Sequence, residues 1–387
     1  MPLEIKKRYL FRVDSSIRIG TGHLMRCRTL AEELKVRGAD VHFVCRRHRG
    51  NLNKLLRETF PVHELPSPPE DTQNALDEDY AGWLGVTQEQ DATETIAALQ
   101  GIQLDWLIVD HYGLDKSWES ALCSHVGRIM VIDDLANRIH DCDLLLDQNL
   151  GRDKKHYHHL VPEKCTVLTG PRYSLLRPEF AALRDYSLQR RANPKLKHLM
   201  ISMGGVDQIN ATGQILEAIK ACTLPDNLRI TVVMGPNAPW LSQIKSIAEQ
   251  LPQTTEVMVN VQNMAQLMAD SDLAIGAAGS TSWERCCLGL PTLTLIVAEN
   301  QQESAMALEQ KGCIKILDCI DVVFKQLSST LRFFMNSTEL IKMSQSSSSV
   351  VDGKGTGRVL RTFFESVKPI PDELKFDKEK SCQIKTM

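Results

Sequence analysis

Short apolar runs alternate with stretches of helical spacing along the first half of the chain. Each run is short, rich in branched residues and bounded by charged or turn residues, which is typical of strands buried in a parallel sheet. The predicted strands are YLFRV (9–13), VHFVC (41–45), WLIVD (106–110), IMVID (129–133) and DLLLD (143–147). Apolar residues recur at helical spacing from Thr21 to Arg37, and Gly38 ends that helix. This order predicts right-handed crossovers and a doubly wound sheet.

The same alternation begins again in the second half of the chain. The predicted strands there are HLMISMGG (198–205), ITVVMG (230–235), VMVNV (257–261), LAIGAA (273–278) and TLTLIV (292–297). Helical candidates lie between them, around 209–221, 239–250, 263–269 and 281–288. We therefore predict an α/β fold in which two Rossmann-like, doubly wound domains face each other across a cleft. Ligands of such folds bind beyond the carboxyl ends of the strands.

Changes in composition predict the domain limits. We expect an N-terminal domain over 1–187, a charged, proline-containing linker over 188–198, and a second domain over 199–367. The polar, lysine-rich tail over 368–387 is expected to be disordered. The acidic, proline-rich segment 66–92 is interpreted as a surface excursion with one short helix.

Charge and hydropathy exclude several classes of partner. The 387 residues include 45 Lys plus Arg against 48 Asp plus Glu, a formal charge of -3. The chain has no excess of basic residues of the kind that would indicate binding to nucleic acid or to an anionic membrane surface. No apolar run reaches the roughly 18 residues that a membrane span needs, and the start lacks the features of a signal peptide. We expect a cytoplasmic monomer that binds neither nucleic acid nor membrane.

No motif predicts a metal or a cofactor. The eleven cysteines form no CxxC pair, and this spacing favours buried thiols over disulfides or metal ligands. Three histidines cluster at His156, His158 and His159, but no carboxylate or cysteine nearby completes a ligand set. Met25 stands where the dinucleotide fingerprint requires its third glycine, which disfavours nicotinamide and flavin.

The first predicted strand leads into the loop RVDSSIRIGTGH (12–23). Gly20 and Gly22 would let the backbone approach a ligand closely, and the amides at the following helix start favour an anion. His23 lies in the first helical turn, where the helix dipole favours a neutral imidazole. A neutral imidazole beside a cleft suits a general base, although a histidine here can also merely cap or pack.

A second candidate loop, VDHYG, follows the strand that ends near residue 110. Its polar residues Asp110, His111 and Tyr112 fall at the carboxyl end of the strand, on the rim of the same predicted cleft. Each is a candidate for substrate contact, and each could instead have a structural role.

Two loops of the second domain combine glycine with a following helix. Gly204 and Gly205 follow one strand. Gly279, Ser280 and Thr281 follow another and offer amides and hydroxyls that can bind pyrophosphate without a P-loop lysine or a metal. Glu284, one turn later, could accept hydrogen bonds from both ribose hydroxyls or could simply pair with the helix dipole.

Taken together in this order, RVDSSIRIGTGHLMRC, IVDHYG, SMGGVD, GSTSWE and AENQQES resemble the UDP-sugar hydrolases of the pseudaminic acid pathway. The resemblance covers about residues 8–365 and leaves out the segment 66–92. Those enzymes release UDP and the free sugar from UDP-2,4-diacetamido-2,4,6-trideoxy-β-L-altropyranose. The second half is also similar to the UDP-sugar-binding half of the undecaprenyl-peptidoglycan N-acetylglucosaminyltransferases, which implies the glycosyltransferase-B architecture.

The resemblance implies roles for individual residues. His23 corresponds to the catalytic histidine of the family, and Tyr112 to a tyrosine close to the reacting sugar. Glu284 corresponds to the ribose ligand, and Asn300 to an asparagine near the diphosphate or sugar. Further residues match family positions without a defined role, namely Arg12, Asp14 and Arg177.

The implied reaction is attack of water, deprotonated by His23, on the anomeric carbon with inversion. No second catalytic carboxylate is required, because UDP is a far better leaving group than an alkoxide. A glycosyltransferase with the same fold and donor is the nearest alternative, but the chain shows no apolar and basic patch for a lipid acceptor. A non-catalytic nucleotide-sugar-binding protein is a further alternative, although His23 is present.

Overall fold

The first sheet has seven parallel strands. The structure is a computed structural model that describes residues 6–69, 80–99, 101–317 and 320–365. In chain order the strands are β1 (Arg8–Val13), β2 (Asp40–Arg46), β3 (Val62–Leu65), β4 (Leu104–Asp110), β5 (Val126–Ile132), β6 (Leu144–Asp147) and β7 (Thr166–Thr169). They lie in the order β3-β2-β1-β4-β5-β6-β7. The order reverses between β1 and β4, so a crevice opens at their carboxyl ends.

Helices cover both faces of this sheet. They are α1 (Gly22–Val36), α2 (Asn53–Arg57), α3 (Gln88–Leu99) and α4 (Lys116–Leu122), whereas the next helix, α5 (Pro178–Arg190), packs on the second domain. Successive side chains of β1 point to opposite faces, as the pleat of a strand requires. Tyr9, Phe11 and Val13 join the apolar cluster on one face, and Leu10 joins the cluster on the other. Burial on both faces explains why these strands are continuously apolar.

The second sheet repeats this plan with six parallel strands. They are β8 (His198–Ser202), β9 (Arg229–Met234), β10 (Thr255–Val259), β11 (Leu273–Ala277), β12 (Thr292–Leu295) and β13 (Lys315–Leu317). Their order is β10-β9-β8-β11-β12-β13, with the reversal between β8 and β11. The helices are α6 (Ala211–Lys220), α7 (Leu241–Glu249), α8 (Met264–Asp270), α9 (Thr281–Cys287), α10 (Gln302–Gln310), α11 (Ile320–Phe334) and α12 (Ser337–Ser348), and the last helix, α13 (Gly355–Glu365), packs on the first sheet. The predicted fold of two Rossmann-like domains is confirmed.

The chain passes between the two domains twice. Helix α5 packs on the second domain, where the Ser187 hydroxyl donates to the Leu288 carbonyl at 2.7 Å. Helix α13 returns to the first sheet, where the ring centroids of Phe363 and Trp106 lie 4.7 Å apart. The domain limits at 187 and 198 stay a prediction. The predicted tail lies outside the described residues.

The two passages lie side by side. The Thr356 hydroxyl, at the start of α13, donates to the Leu176 carbonyl at 3.0 Å and accepts from the Leu176 amide at 3.1 Å. A side chain at Gly355 would collide with the backbone of Ser174, so glycine permits this close approach. The outgoing and returning segments are therefore fastened together.

The interpretation of 66–92 as a surface excursion is wrong where the structure describes the segment. Residues 70–79 lie outside the described residues, but Tyr80–Trp83 forms a 3-10 turn and α3 begins at Gln88. Asp91, within α3, is fully buried and accepts hydrogen bonds from three side chains of the first domain. The segment is therefore built into the domain.

Candidate active site between the two sheets

The loop between β1 and α1 is shaped by its own hydrogen bonds. Gly20 has a φ of 79°, and its amide donates to the Ser16 carbonyl at 2.9 Å. The Ser16 hydroxyl accepts from the amides of Arg18 and Ile19. This compact turn brings the chain into α1 at Gly22 and places His23 in the first helical turn.

His23 is paired with a buried carboxylate. Its Nδ1 lies 2.6 Å from Oδ1 of Asp110, the last residue of β4. The Asp110 side chain is fully buried, whereas that of His23 is 12% exposed. An aspartate that accepts the Nδ1 proton leaves the Nε2 lone pair free, and this is the tautomer that a general base requires.

Arg26, one helical turn after His23, holds this carboxylate ionised. Its guanidinium donates to both oxygens of Asp110, at 2.6 and 2.7 Å, and to Asp134 at 2.9 Å. Burial alone would raise the pKa of both carboxyls, but the Arg26 guanidinium holds each pKa below its usual value. Asp110 therefore orients His23 without competing for its proton.

Tyr112 joins the His23 pair to the second domain. Its ring meets the imidazole edge to face, with the centroids 4.6 Å apart. Its hydroxyl donates to Asp134 at 2.5 Å and accepts from the Asn300 side-chain amide at 3.2 Å. Burial and the Asp134 carboxylate hold the pKa of Tyr112 well above its usual value, so the hydroxyl keeps its proton.

A pocket of about 760 Å³ opens beside Tyr112 and is lined from both domains. Tyr80 and Tyr112 line it, and Trp83 packs against both of these rings to complete an aromatic wall, with centroid separations of 4.9 to 5.4 Å. The Trp83 indole N–H is buried and finds no partner among the described residues. The wall thus offers ring faces to a ligand that carries apolar groups.

The glycine loops of the two domains approach each other closely. A Cβ placed on Gly22 would lie 3.3 Å from the Ser280 hydroxyl oxygen. A Cβ on Gly205 would lie 2.9 Å from the Thr21 hydroxyl oxygen. The absence of side chains at these glycines therefore lets the first-domain loop meet both loops of the second domain.

The two helix starts of the second domain differ in their free amides. The loop after Gly205 continues to Ala211 before α6 begins, and the first amides of that helix bond to Asp207 and Asn210. No side chain caps α9, which begins at Thr281 directly after Gly279 and Ser280. The α9 loop is the better placed of the two to receive an anion.

Glu284 stands in the first turn of α9 as a half-buried carboxyl. Burial raises its pKa to about 7, although the nearby Arg177 guanidinium opposes the shift. Arg177 itself is paired with Glu179 at 2.9 Å. The Glu284 oxygens have no hydrogen-bond partner among the described residues, so both are available to ligand hydroxyls.

Comparison with known proteins identifies the family. The chain is 30% identical over 304 residues to the UDP-2,4-diacetamido-2,4,6-trideoxy-beta-L-altropyranose hydrolase of Campylobacter jejuni, which covers 78% of this chain and 96% of that protein. The chain belongs to this hydrolase family. Its membership confirms the resemblance that the sequence motifs indicated.

The chain is also similar to proteins outside the hydrolase family. Residues 200–355 match the glycosyltransferase family 28 C-terminal domain. The Bacillus subtilis spore coat polysaccharide biosynthesis protein SpsG is 25% identical over 353 residues, covering 89% of this chain and 94% of that protein. A crystal structure of Acinetobacter baumannii MurG covers 93% of this chain and 99% of its own with a TM-score of 0.65 at 15% identity, and it confirms the fold. Related proteins of UDP-sugar processing thus include hydrolases and transferases.

Five residues predicted from the sequence converge on the cleft. His23 contacts the ring of Tyr112, Tyr112 contacts Asn300, and the loops of Gly22 and Ser280 meet. Their roles stay a prediction, as do those of Gly20, Gly204, Gly205, Gly279, Thr281, Glu284 and Arg177.

Arg12 and Asp14 do not reach the surface of the cleft. Both side chains are fully buried, and Arg12 donates to Asp14 at 2.7 Å and to Asp91 at 2.7 Å. Asp14 also accepts from the Arg46 amide at 2.7 Å. These residues therefore support the β1 loop from beneath, and direct contact with a substrate does not fit their position.

His111 also has a structural position. Its side chain is buried, its Nδ1 accepts from the Gly113 amide at 3.0 Å, and burial lowers its pKa to about 3. It is therefore a neutral ring that shapes the turn after β4, between Asp110 and Tyr112 on the cleft side.

Several residues of the site were not predicted from the sequence. Arg26 lies three residues after His23, so helical spacing could have identified it. Asp134 follows β5 at the edge where β1 and β4 also end, which is a signal of the same kind. Trp83 lies in the segment left outside the family resemblance, and nothing in its surroundings indicated a role.

The described residues contain neither a cluster of metal ligands nor a membrane-spanning helix. No group of three His, Cys, Asp or Glu side chains there is arranged to hold a metal ion. None of the helices in the same ranges combines the length and the apolar character that crossing a bilayer requires.

Proposed function

We propose that this protein hydrolyses a UDP-linked 2,4-diacetamido-2,4,6-trideoxyhexose of the altropyranose type to UDP and the free sugar. The observation that carries the proposal is the His23–Asp110 pair at the mouth of a cleft between two domains. The named Campylobacter jejuni relative supplies the substrate class. The pair supports hydrolysis and the relative supports the class of sugar, and we propose that the reaction belongs to nonulosonic acid biosynthesis.

His23 is proposed as the general base. Nε2 removes a proton from water while the water oxygen forms a bond to the anomeric carbon. The bond from that carbon to the diphosphate oxygen breaks, and its electron pair leaves with UDP. Attack from the face opposite the leaving group inverts the configuration. Asp110 stabilises the imidazolium that forms, as the carboxylate of a catalytic triad does.

The second domain is proposed to hold UDP. Amides and hydroxyls of Gly279, Ser280 and Thr281 would bind the diphosphate and stabilise the charge that develops on it. Glu284 would accept hydrogen bonds from both ribose hydroxyls, since its oxygens have no other hydrogen-bond partner in the described structure. A fixed polar loop of this kind accounts for departure of UDP without a second carboxylate.

The sugar is proposed to lie in the pocket beside the aromatic wall. Tyr112 and Asn300 would contact its polar groups, since each reaches the pocket from a different domain. The rings of Tyr80 and Trp83 would cover the methyl groups of the deoxy position and of the acetamido substituents. The pocket thus supports a substrate with apolar substituents over a fully hydroxylated hexose.

Transfer to an acceptor hydroxyl is the second candidate, and the match to the glycosyltransferase family 28 C-terminal domain favours it. The deciding experiment incubates the protein with UDP-linked diacetamido sugars in ¹⁸O-water without any acceptor. We expect release of UDP and one labelled oxygen in the free sugar. Label in UDP would mean attack at phosphorus, and turnover only after addition of an acceptor alcohol would establish a transferase.

A further inference from the structure

Arg285 is a buried cation behind the α9 loop. Its side chain is 2% exposed, and its guanidinium donates to the Ala277 carbonyl at 2.7 Å. It also donates to the hydroxyl oxygens of Thr281 at 3.1 Å and Ser282 at 3.0 Å. Every acceptor therefore belongs to the chain that enters and starts α9.

The fold provides space for the Arg285 side chain but no ion-pair partner for its charge. A Cβ on Gly276, in β11, would lie 2.5 Å from Arg285 Nη1, so a glycine in the strand provides the space. No carboxylate of the described ranges forms an ion pair with Arg285. Burial lowers its pKa to about 10, which leaves the guanidinium charged at neutral pH. An uncompensated buried charge is costly and calls for an explanation.

Arg191 provides a comparison within the same domain. It is also buried, its pKa is lowered to about 9 by burial, and it forms no ion pair within the described residues. All its acceptors are backbone carbonyls, those of Ser187, Met268, Ala269 and Ser271. Arg191 therefore satisfies carbonyls where α5 and α8 end, which is a structural role.

The hydroxyl acceptors of Arg285 differ from carbonyls in one respect. A hydroxyl that accepts from a guanidinium still has its own proton to donate, and this proton turns away from the cation. Nothing among the described residues accepts the Thr281 hydroxyl proton. Thr281 is half-buried and follows Ser280, whose hydroxyl oxygen is close to Gly22 across the cleft. Arg285 therefore orients the Thr281 hydroxyl so that its proton is free to be donated to a ligand at the domain junction.

We propose that Arg285 is a positioning residue for a nucleoside diphosphate: it fixes the Thr281 hydroxyl as a donor and places a buried positive charge behind the diphosphate. The inference rests on the proposed function, in which UDP is the leaving group. Positive charge in a poorly solvated position stabilises a developing dianion without reorganising during the reaction. The same residue would contribute little to the binding of uridine, which lacks phosphate and would meet Arg285 only through its effect on the pKa of Glu284.

The test compares the affinities of UDP and uridine for the full-length protein by calorimetry or ligand-observed NMR. Arg285→Gln should weaken UDP binding by about 10- to 100-fold, as expected for hydrogen bonds that involve a charged group, and should weaken uridine binding far less. A small loss of uridine affinity is expected because the Arg285 charge also helps to hold down the pKa of Glu284. Arg285→Lys keeps the charge and should retain most of the preference for UDP. Arg191→Gln, the matched control, should lower the melting temperature without changing the UDP-to-uridine ratio.

A second pair of variants covers the case in which Arg285→Gln does not fold. Thr281→Val should weaken UDP binding by about 3- to 10-fold, whereas Thr281→Ser, which keeps the hydroxyl, should bind UDP with nearly wild-type affinity. Equal losses for UDP and uridine, or an unchanged ratio in both Arg285→Gln and Thr281→Val, would overturn the inference. If the wild-type protein itself shows no preference for UDP over uridine, the proposed function fails instead.

Discussion

The Tyr112 hydroxyl accepts a hydrogen bond from the Asn300 side-chain amide at 3.2 Å, across the boundary between the two domains. Because the Tyr112 proton is donated to Asp134, its oxygen lone pair is directed to Asn300. The contact joins a residue after β4 to one in the 3-10 turn Glu299–Gln301. A closed cleft thus has a specific hydrogen bond that an open one would lack.

Tyr112→Phe and Asn300→Ala should affect catalysis in a coupled manner. Each variant removes the same hydrogen bond, so we expect the double variant to lose less kcat/KM than the two single losses combined. A double-mutant cycle should give a coupling of about 0.5–1.5 kcal/mol. Strict additivity would show that the hydrogen bond is absent in the enzyme at work.

Replacement of His23 should abolish most turnover and preserve the nucleotide site. His23→Ala should lower kcat by about 10² to 10⁴, the usual contribution of a general base. UDP affinity and melting temperature should stay near the wild-type values, because UDP is bound by the second domain. Near-normal turnover of His23→Ala would return this residue to a structural role.

Asp110→Asn separates orientation from base chemistry. An amide in place of the carboxylate can donate to Nδ1 and so favours the tautomer in which Nε2 carries the proton. We therefore expect a loss of kcat comparable to that of His23→Ala, with folding monitored by circular dichroism. A stable Asp110→Asn variant with full activity would contradict the assigned tautomer.

Binding to the ribose site should strengthen as the pH rises through 7. Burial raises the pKa of Glu284 to about 7, so half of the free protein carries a protonated carboxyl there at that pH. Ribose hydroxyls donate to the carboxylate form and should bind it better. Uridine is the correct probe, because it has no phosphate that titrates in this range. Its affinity should rise between pH 6 and 8 and then level off.

Glu284→Gln gives the matched control for this pH dependence. The variant should bind uridine more weakly than the wild type at pH 8 and show a flat profile from pH 6 to 8. Because the raised pKa means that the folded state holds a proton that the unfolded state has lost, Glu284 should lower wild-type stability as the pH rises from about 4.5 to 7. Burial raises the pKa of Asp147 to about 7 as well, so chemical denaturation should find a shallower decline in Glu284→Gln than in the wild type.

The aromatic wall should govern sugar affinity and leave UDP affinity unchanged. Trp83→Ala or Tyr80→Ala should raise KM for a diacetamido substrate by about 5- to 50-fold, as expected for loss of stacking on apolar groups. Trp83→Phe keeps a ring and should recover most of the loss. Unchanged KM in both alanine variants would show that the sugar lies elsewhere in the pocket.

The sequence was sufficient to predict the strands that form the centre of both sheets. β1, β4, β8 and β11 are apolar on both faces, so their residues identify them without help from their neighbours. Of the four edge strands, β10 was predicted, but β3, β7 and β13 were missed, because a short strand such as Val62–Leu65 carries His and Glu and resembles a loop. Helix α3 was missed because its residues are mostly polar and its buried groups are Asp91, Ala92, Thr95 and Leu99.

The candidate site was predictable as far as strand ends and glycine loops, and no further. Asp110, His111 and Tyr112 are adjacent in sequence, but only the backbone turn decides that His111 faces inward while its neighbours reach His23. The opposite problem concerns Arg12, which was a candidate site residue because it matches a family position. One of its two buried partners, Asp91, comes from α3, a helix that the sequence pattern did not reveal.

The two hydrogen bonds between Leu176 and Thr356 constrain how the two domains can move relative to each other. Two connections that are hydrogen-bonded to each other act as one hinge, about which the domains can rotate but which opposes sliding of one domain along the other. We therefore expect the cleft to open by rotation, and each closure to return Asn300 to its contact with Tyr112.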